Sequence, residues 1–303
     1  IDRWARYASH APKLVNFLTG REPFATIAKK IAGIAPQRRI TAFAEEPFTA
    51  WFRKRRGNAA PRGRRILLWP DTFNNYFHPD TAKAAVEVLE HAGFDVAIPP
   101  VHVCCGRPLY EYGMLDRAKQ YLEHLMDVIG DDIRAGTPVV GLEPACMSVF
   151  RDELTNLLAG NEQAKRLHEQ SFLLSEFLDQ QDGDFPFPQL QRHAVVHGHC
   201  HHKAVLKIQA EESIMKKLGL DVDLLDSGCC GMAGSFGFMK EKYPVSMQCA
   251  ERVLLPAVRK AEAESGTLIV ADGFSCREQL LQTTDAQPLH LAQVLQMALH
   301  QDR

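Results

Sequence analysis

An internal repeat constrains this chain more than any other feature of its sequence. One pattern occurs twice: strand, helix, strand, Cys-Cys-Gly, helix, strand, cysteine. In the first copy, Ile66 to Pro70 reads as a buried strand ending at proline. Thr81 to His91 has apolar residues at helical spacing and stops at Gly93. Phe94 to Val103 is strand-like and runs into Cys104-Cys105-Gly106. Leu115 to Ile133 reads as one long amphipathic helix, and Thr137 to Leu142 as a strand leading to Pro144-Ala145-Cys146. Met147 to Gln180 reads as helix broken near Gly160-Asn161. In the second copy, His193 to His197 is a strand that delivers Cys200, and Glu211 to Leu218 is a helix stopped at Gly219. Leu220 to Leu225 is a strand running into Gly228-Cys229-Cys230-Gly231. Val245 to Ala263 is a helix, and Thr267 to Ala271 is a strand leading to Cys276.

Strands alternating with helices imply parallel sheets covered on both faces. The expected fold is therefore α/β: two pseudo-repeated Rossmann-like parallel-sheet units with cysteines at the C-terminal ends of strands, plus a helical N-terminal extension. Residues 1–62 read as the helical extension and a basic linker, 63–188 as the first repeat and 189–303 as the second, with a polar linker at 181–188. Ligands of such sheets sit beyond the carboxyl ends of the strands. Both sets of cysteines fall there, so the periodicity predicts that cysteines far apart in sequence meet in space.

The bulk numbers exclude several classes. A chain of 303 residues, 46% hydrophobic and 24% charged, is globular rather than disordered. A net charge of −2 asks for no nucleic acid. No apolar run reaches the roughly 20 residues of a membrane span. The start, Ile1-Asp2-Arg3-Trp4, lacks an initiator Met and a signal-peptide core, so the chain is expected to be a fragment whose upstream part lies elsewhere. The expected location is cytoplasmic, with peripheral contact at the inner membrane as the alternative. Seven basic residues fall between Arg53 and Arg65. They read as a solvated linker, with a docking surface for an acidic partner or anionic membrane as the sharper alternative.

Eight cysteines in such a chain point to reduced thiols that bind metal or do redox chemistry, since a disulfide scaffold would be shorter and denser in cysteine. Two adjacent thiolates in a loop can face one polynuclear cluster, and the glycine after them lets the backbone approach closely at positive φ. The second repeat supplies four thiols, Cys200, Cys229, Cys230 and Cys276, the usual number for an iron–sulfur cluster or a structural zinc. The first supplies Cys104, Cys105 and Cys146, with Asp71 as a candidate oxygen ligand where its opening cysteine is missing. His197, His199, His201 and His202 surround Cys200, and His199 or His201 is a candidate ligand. The bland alternative, buried cysteines acting as small hydrophobes, fits Cys249, alone in a helix, better than the paired motifs. Gly231, Gly234 and Gly237 do not match a dinucleotide fingerprint and read as a close-packed cluster loop. No catalytic residue is assigned.

At these residues the sequence resembles the cysteine-rich CCG-domain proteins. Trp69-Pro70-Asp71-Thr72-Phe73, His197-Gly198-His199-Cys200-His201, the run from Asp226 to Gly237 and Ala271 to Arg277 look like the C-terminal region of fused FAD and iron–sulfur oxidases. Bacterial D-2-hydroxyglutarate and D-lactate dehydrogenase-like enzymes are of that type. They are related to the iron–sulfur subunits of glycolate oxidase and to the cysteine-rich subunit of heterodisulfide reductase. The resemblance implies a 4Fe-4S cluster at the second site, with zinc or an empty site in an air-purified fragment. It also implies an FAD-binding oxidase domain and a ferredoxin-like segment upstream in the same enzyme, and a downstream electron acceptor. The family closes each repeat with Cys-x-x-Cys. Here Val149 and Gln279 stand at the second cysteine positions, so a five-cysteine cluster is not expected. Electron transfer in a 2-hydroxy-acid oxidase is the leading expectation. A zinc-bound or metal-free module supporting the flavin domain is the alternative, and an enzyme acting through the histidine-rich loop comes third.

Overall fold

The computed structural model describes residues 1–57, 63–181 and 187–301. Its strands form two parallel sheets. β1 (Arg64–Trp69), β2 (Phe94–Ala97), β3 (Val139–Gly141) and β4 (Ser171–Leu173) take the order β2-β1-β3-β4. β5 (His193–Val196), β6 (Asp221–Leu224) and β7 (Leu268–Val270) take the order β6-β5-β7. The expected pair of α/β units and the helical extension are both present, and the cysteines lie beyond the C-terminal ends of the strands. The repeat runs further than the sequence pattern showed. Leu289 bridges Val270 in parallel, at the place β4 occupies in the first sheet. Helix Leu291–Gln301 then follows as helix Leu174–Asp179 follows β4.

Strand side chains alternate between faces, and this explains how the units join. Ile66, Leu68 and Val140 of the first sheet share one buried core with Ala194, Val196 and Val270 of the second. Helices fill that core reciprocally. The closing helix of the second unit, Leu291–Gln301, packs on helix Pro79–His91 of the first, and Leu174–Asp179 of the first packs on Gln209–Lys217 of the second. The alternate residues turn outward into separate cores. Leu67, Trp69 and Val139 meet Met147 and Phe150, while Val195 and Ile269 meet Leu254, Leu255 and Val258.

Several boundaries differ from the sequence expectation. The strand expected over 94–103 ends at Ala97, because Pro99 and Pro100 cannot continue a ladder. The helix expected over 115–133 breaks at Ile129, just before Gly130. The helical stretch expected over 147–180 contains a π turn at Val149–Glu153 and, as a strand, Ser171–Leu173. Such a short apolar run has no period that separates strand from helix. The helix expected over 245–263 is two helices, Tyr243–Glu251 and Leu254–Glu262, the second with Pro256 in its first turn. Most of the linker expected at 181–188, and the stretch 58–62 with Arg62, lie outside the described residues.

The extension contributes helices Asp2–Ala8, Pro12–Gly20, Phe24–Ala32 and Phe48–Arg56. The basic segment is not simply solvated. Phe48 and Phe52 enter the shared core, Arg55 pairs with Glu90 at 2.6 Å, and Arg56 pairs with Asp95 at 2.8 Å. Deeper still, Arg38 is buried in the second unit. It donates from Nε to the Gly237 carbonyl at 2.8 Å and from Nη2 to Gln279 Oε1 at 2.6 Å and Ser246 Oγ at 3.0 Å. A buried guanidinium persists only with such partners. Gln279 thus receives Arg38 at the position where the family pattern has a cysteine. Arg38→Met keeps the length but strands these acceptors. It is expected to lower stability in urea by about 3 kcal/mol, read from the unfolding midpoint at unchanged m.

Candidate metal centre

Cys200 follows β5, Cys229 and Cys230 follow β6, and Cys276 sits in the first turn of helix Phe274–Thr283 after β7. Because the three strands are parallel, their loops leave at one rim. There the sulfurs form a chain of contacts, Cys200 with Cys229, Cys229 with Cys230 and Cys230 with Cys276. Cys230 and Cys276 are buried, Cys229 is half-buried and Cys200 is exposed, and all eight cysteines are free thiols. Gly231 has φ of +84°, and a Cβ there would overlap the Ser246 carbonyl. Its N–H donates to Cys229 Sγ at 3.3 Å. Gly106 repeats the geometry with φ of +79° and its N–H on Cys104 Sγ at 3.4 Å.

The contacts divide the protons unevenly. Hydrogen bonds from the Cys200 and Cys230 thiols pull Cys229 down to about 2. The bond from Cys230 likewise holds Cys276 well below the usual thiol range. Cys200 and Cys230 are pushed up, first by contact with Cys229 and then by burial. Along the contact order, thiols that favour the neutral form, Cys200 and Cys230, thus alternate with ones that favour the thiolate, Cys229 and Cys276.

The histidines fall into two groups. His199 and His201 flank Cys200, with Nδ1 at 4.0 and 3.8 Å from its sulfur and rings stacked at 5.3 Å. Burial lowers the pKa of both, and burial with Arg107 takes His201 to about 4. Both rings are thus neutral at pH 7, with His199 Nδ1 accepting from the His201 N–H at 3.2 Å and His201 Nε2 meeting Arg107. The ring of His199 rests against Gly273, where a Cβ would collide with it. His197 is the residue that sequence reasoning left out of the ligand set. Its ring lies with the sulfurs of Cys230 and Cys276, the three ligand atoms within 4.8 Å of one another. Nδ1 meets Ser227 Oγ at 2.7 Å, and Nε2 is buried without a hydrogen-bond partner. The signal was available: His197 is two residues beyond Val195, so strand alternation aims it at the same outer face.

In the first unit, Cys105 donates to Cys146 at 3.0 Å and Cys104 contacts Cys105. All three stay protonated. The contact with Cys105 and burial raise Cys104. Cys105 is lowered by its bond with Cys104 but raised further by Cys146 and burial. Cys146 is lowered by its bond with Cys105, yet burial, Asp71 and Glu143 carry it to about 11. Asp71 caps helix Thr72–Tyr76. Oδ1 accepts from the N–H groups of Phe73 and Asn74 at 2.9 and 3.0 Å, and Oδ2 accepts from Asn74 Nδ2 at 2.8 Å. Both oxygens are engaged as helix-cap acceptors. Cys249, expected in the core, is half-buried and belongs to none of the three apolar cores.

A buried polar bridge joins the two rims. Glu143 accepts from the Phe274 N–H at 2.8 Å, and Arg277 donates to Asn74 Oδ1 at 3.1 Å. The rings of Phe73 and Phe274 stack at 4.1 Å. Beside them, between the two Cys-Cys-Gly loops, lies a cavity of about 480 Å3 lined by Phe73, Phe77, Tyr112, Ser235, Phe238 and Phe274.

The donor set suits a metal centre. Four sulfurs meet in a partly buried pocket, two of them lowered toward their thiolate forms, with backbone N–H groups aimed at sulfur and one orphaned imidazole nitrogen alongside. Among known proteins, a family model described as the CCG cysteine-rich domain matches residues 72–151 and 194–280, one stretch in each unit. The chain is 28% identical over 294 residues to a subunit of the anaerobic glycerol-3-phosphate dehydrogenase of Escherichia coli (strain K12), covering 94% of this chain and 72% of that protein. It is 26% identical over 306 residues to a D-2-hydroxyglutarate dehydrogenase of Pseudomonas putida, covering 96% of this chain but only 29% of that protein. Lactate utilization protein A of Halalkalibacterium halodurans is 26% identical over 253 residues, 79% of this chain and 98% of that protein.

The bridge gives a pH signature. Burial, with Asp71 nearby, raises Glu143 from its ordinary 4.5 to about 8. A raised carboxyl favours its protonated form in the folded state. Its contribution is therefore full below about pH 4.5 and is lost as pH rises toward about 8. In Glu143→Gln the melting temperature is expected to vary less with pH across that window than in the parent, as followed by circular dichroism.

Proposed function

We propose, from the premise that this chain belongs to the CCG cysteine-rich domain family, that it is the iron–sulfur electron-transfer region of a flavin-linked 2-hydroxy-acid dehydrogenase. The observation that carries this reading is the meeting of Cys200, Cys229, Cys230 and Cys276 at one rim, where the contacts lower Cys229 and Cys276 toward their thiolate forms. The names of the relatives, two dehydrogenases and a lactate-utilization protein, support the class. A 4Fe-4S cluster on these four cysteines would supply one-electron capacity between a two-electron flavin donor and an acceptor.

The chain's own residues set how such a site behaves. The Gly231 N–H donates to Cys229 and draws charge from that sulfur. The apolar residues around Cys230 and Cys276 keep water from the inner sulfurs. His199 and His201 stand as neutral candidate ligands beside Cys200, the first buried and the second half-buried, and His197 stands beside Cys230 and Cys276. Cys104, Cys105 and Cys146 form a second candidate centre, with Asp71 close enough to raise Cys146 while capping its own helix. FAD would lie in an oxidase domain elsewhere in the enzyme, linked through a ferredoxin-like segment, and electrons would leave to a downstream acceptor. The location read from the sequence, cytoplasmic with peripheral contact at the inner membrane, belongs to this proposal. No helix among the described residues is long and apolar enough to cross a membrane.

One observation favours a second reading, a structural zinc. The sulfurs touch in the order Cys200, Cys229, Cys230, Cys276, and neighbouring thiolates in mutual contact suit one tetrahedral zinc, whereas a polynuclear cluster holds its cysteines further apart. Anaerobic purification followed by iron, zinc and sulfide analysis separates the two. Electron transfer predicts about four irons with matching sulfide, and an EPR signal on reduction that disappears in Cys229→Ser. One zinc without sulfide would replace the proposal with the structural role. Oxidation of a 2-hydroxy acid by this chain without flavin would refute both.

A further inference from the structure

A third cluster of ligating side chains lies away from the sulfurs. His202, Glu211 and Asp272 are each at least nine-tenths buried, and their ligand atoms lie within 4.8 Å of one another. They come from three elements: the turn after Cys200, the first turn of helix Gln209–Lys217 and the loop after β7. His202 Nδ1 and Glu211 Oε2 are 3.0 Å apart, yet neither atom has a partner in hydrogen-bonding geometry. His202 Nε2 is also buried and unpartnered. An ordinary ion pair at that distance would align its N–H with the oxygen. Two ligands of a shared ion, each about 2.1 Å from it, sit about 3.0–3.4 Å apart without pointing at each other. Two carboxylates facing one another in a buried space also repel, and one imidazole does not neutralise both.

The neighbouring His290 is excluded from the set. It accepts at Nδ1 from the Ala292 N–H at 2.9 Å and meets the Leu142 carbonyl through Nε2 at 2.9 Å, so both nitrogens are occupied. The donor set is then one nitrogen and two carboxylates, with no sulfur. A buried imidazole disfavours Mg2+ and Ca2+, which prefer oxygen ligands and, for Mg2+, retained waters.

We propose that His202, Glu211 and Asp272 bind one divalent transition cation, Zn2+ or Mn2+, which ties the segment carrying Cys200 to the loop carrying Cys276. His202 is two residues from Cys200, and Asp272 four from Cys276. The ion would fix the separation of two sulfurs that the strands alone deliver only approximately. The inference does not rest on what the cysteines hold.

The test is zinc-edge X-ray absorption on the anaerobically purified full chain, with metal analysis of variants. The expected signal of this ion is a shell of nitrogen and oxygen neighbours near about 2.0–2.1 Å, to which any zinc on the cysteines would add a separate sulfur shell near about 2.3 Å. The ion should remain at about one equivalent in Cys229→Ser and fall by about tenfold or more in Glu211→Gln. If Glu211→Gln does not fold, the parent decides alone: after chelation, added Zn2+ or Mn2+ should raise its melting temperature and restore the nitrogen and oxygen shell. A parent chain that neither retains nor rebinds either ion in a sulfur-free site overturns the proposal.

Discussion

Parallel pairing governs this molecule. When every strand of a sheet runs the same way, every loop after a strand leaves at the same edge, whatever its distance in sequence. Cys200 and Cys276 are separated in sequence by two strands, β6 and β7, yet β5 and β7 are direct neighbours. The backbone ladder places the sulfurs, and the side chains around them only refine that placement. The same rule in the first sheet brings Cys105, which follows β2, to Cys146, which follows β3, the strands on either side of β1.

On that shared framework the two rims differ electrostatically. In the second unit four sulfurs can pair donor with acceptor, and the contacts lower Cys229 and Cys276 toward their thiolate forms. In the first unit Asp71 and Glu143 oppose negative charge on Cys146, while burial and contact among the three sulfurs raise Cys104 and Cys105. The difference follows from one missing cysteine and from the carboxylates nearby. A carboxylate that caps a helix has taken the place where the other unit carries a thiol.

Much of this was legible in the sequence because it depends on period and order. The two units, the parallel sheets and the gathering of cysteines at strand ends follow from alternating elements with a repeated Cys-Cys-Gly. The glycines were readable too, since Gly106 and Gly231 occupy the positive-φ positions their place after the cysteines requires. What escaped depends on contacts between distant segments. Ser171–Leu173 looks helical beside its flanking helices and becomes a strand only because β3 offers an open edge. Arg38 carries no local signal, because its partners lie about two hundred residues away. Strand alternation carried one step past Val195 places His197 on the outer face, and carried further it would group His199 and His201 with it. Beyond Val196 the chain leaves the strand, however, and the period no longer orders those two.

The reciprocal packing of the closing helices has a consequence for how such a duplication can drift. Each unit completes its inner face with a helix lent by the other, so neither half encloses a finished interior by itself. A half whose own ligands have thinned, as Asp71, Val149 and the neutral thiols of the first unit suggest, cannot be discarded. It survives as the wall against which its sibling folds, and selection on one rim preserves the architecture of both.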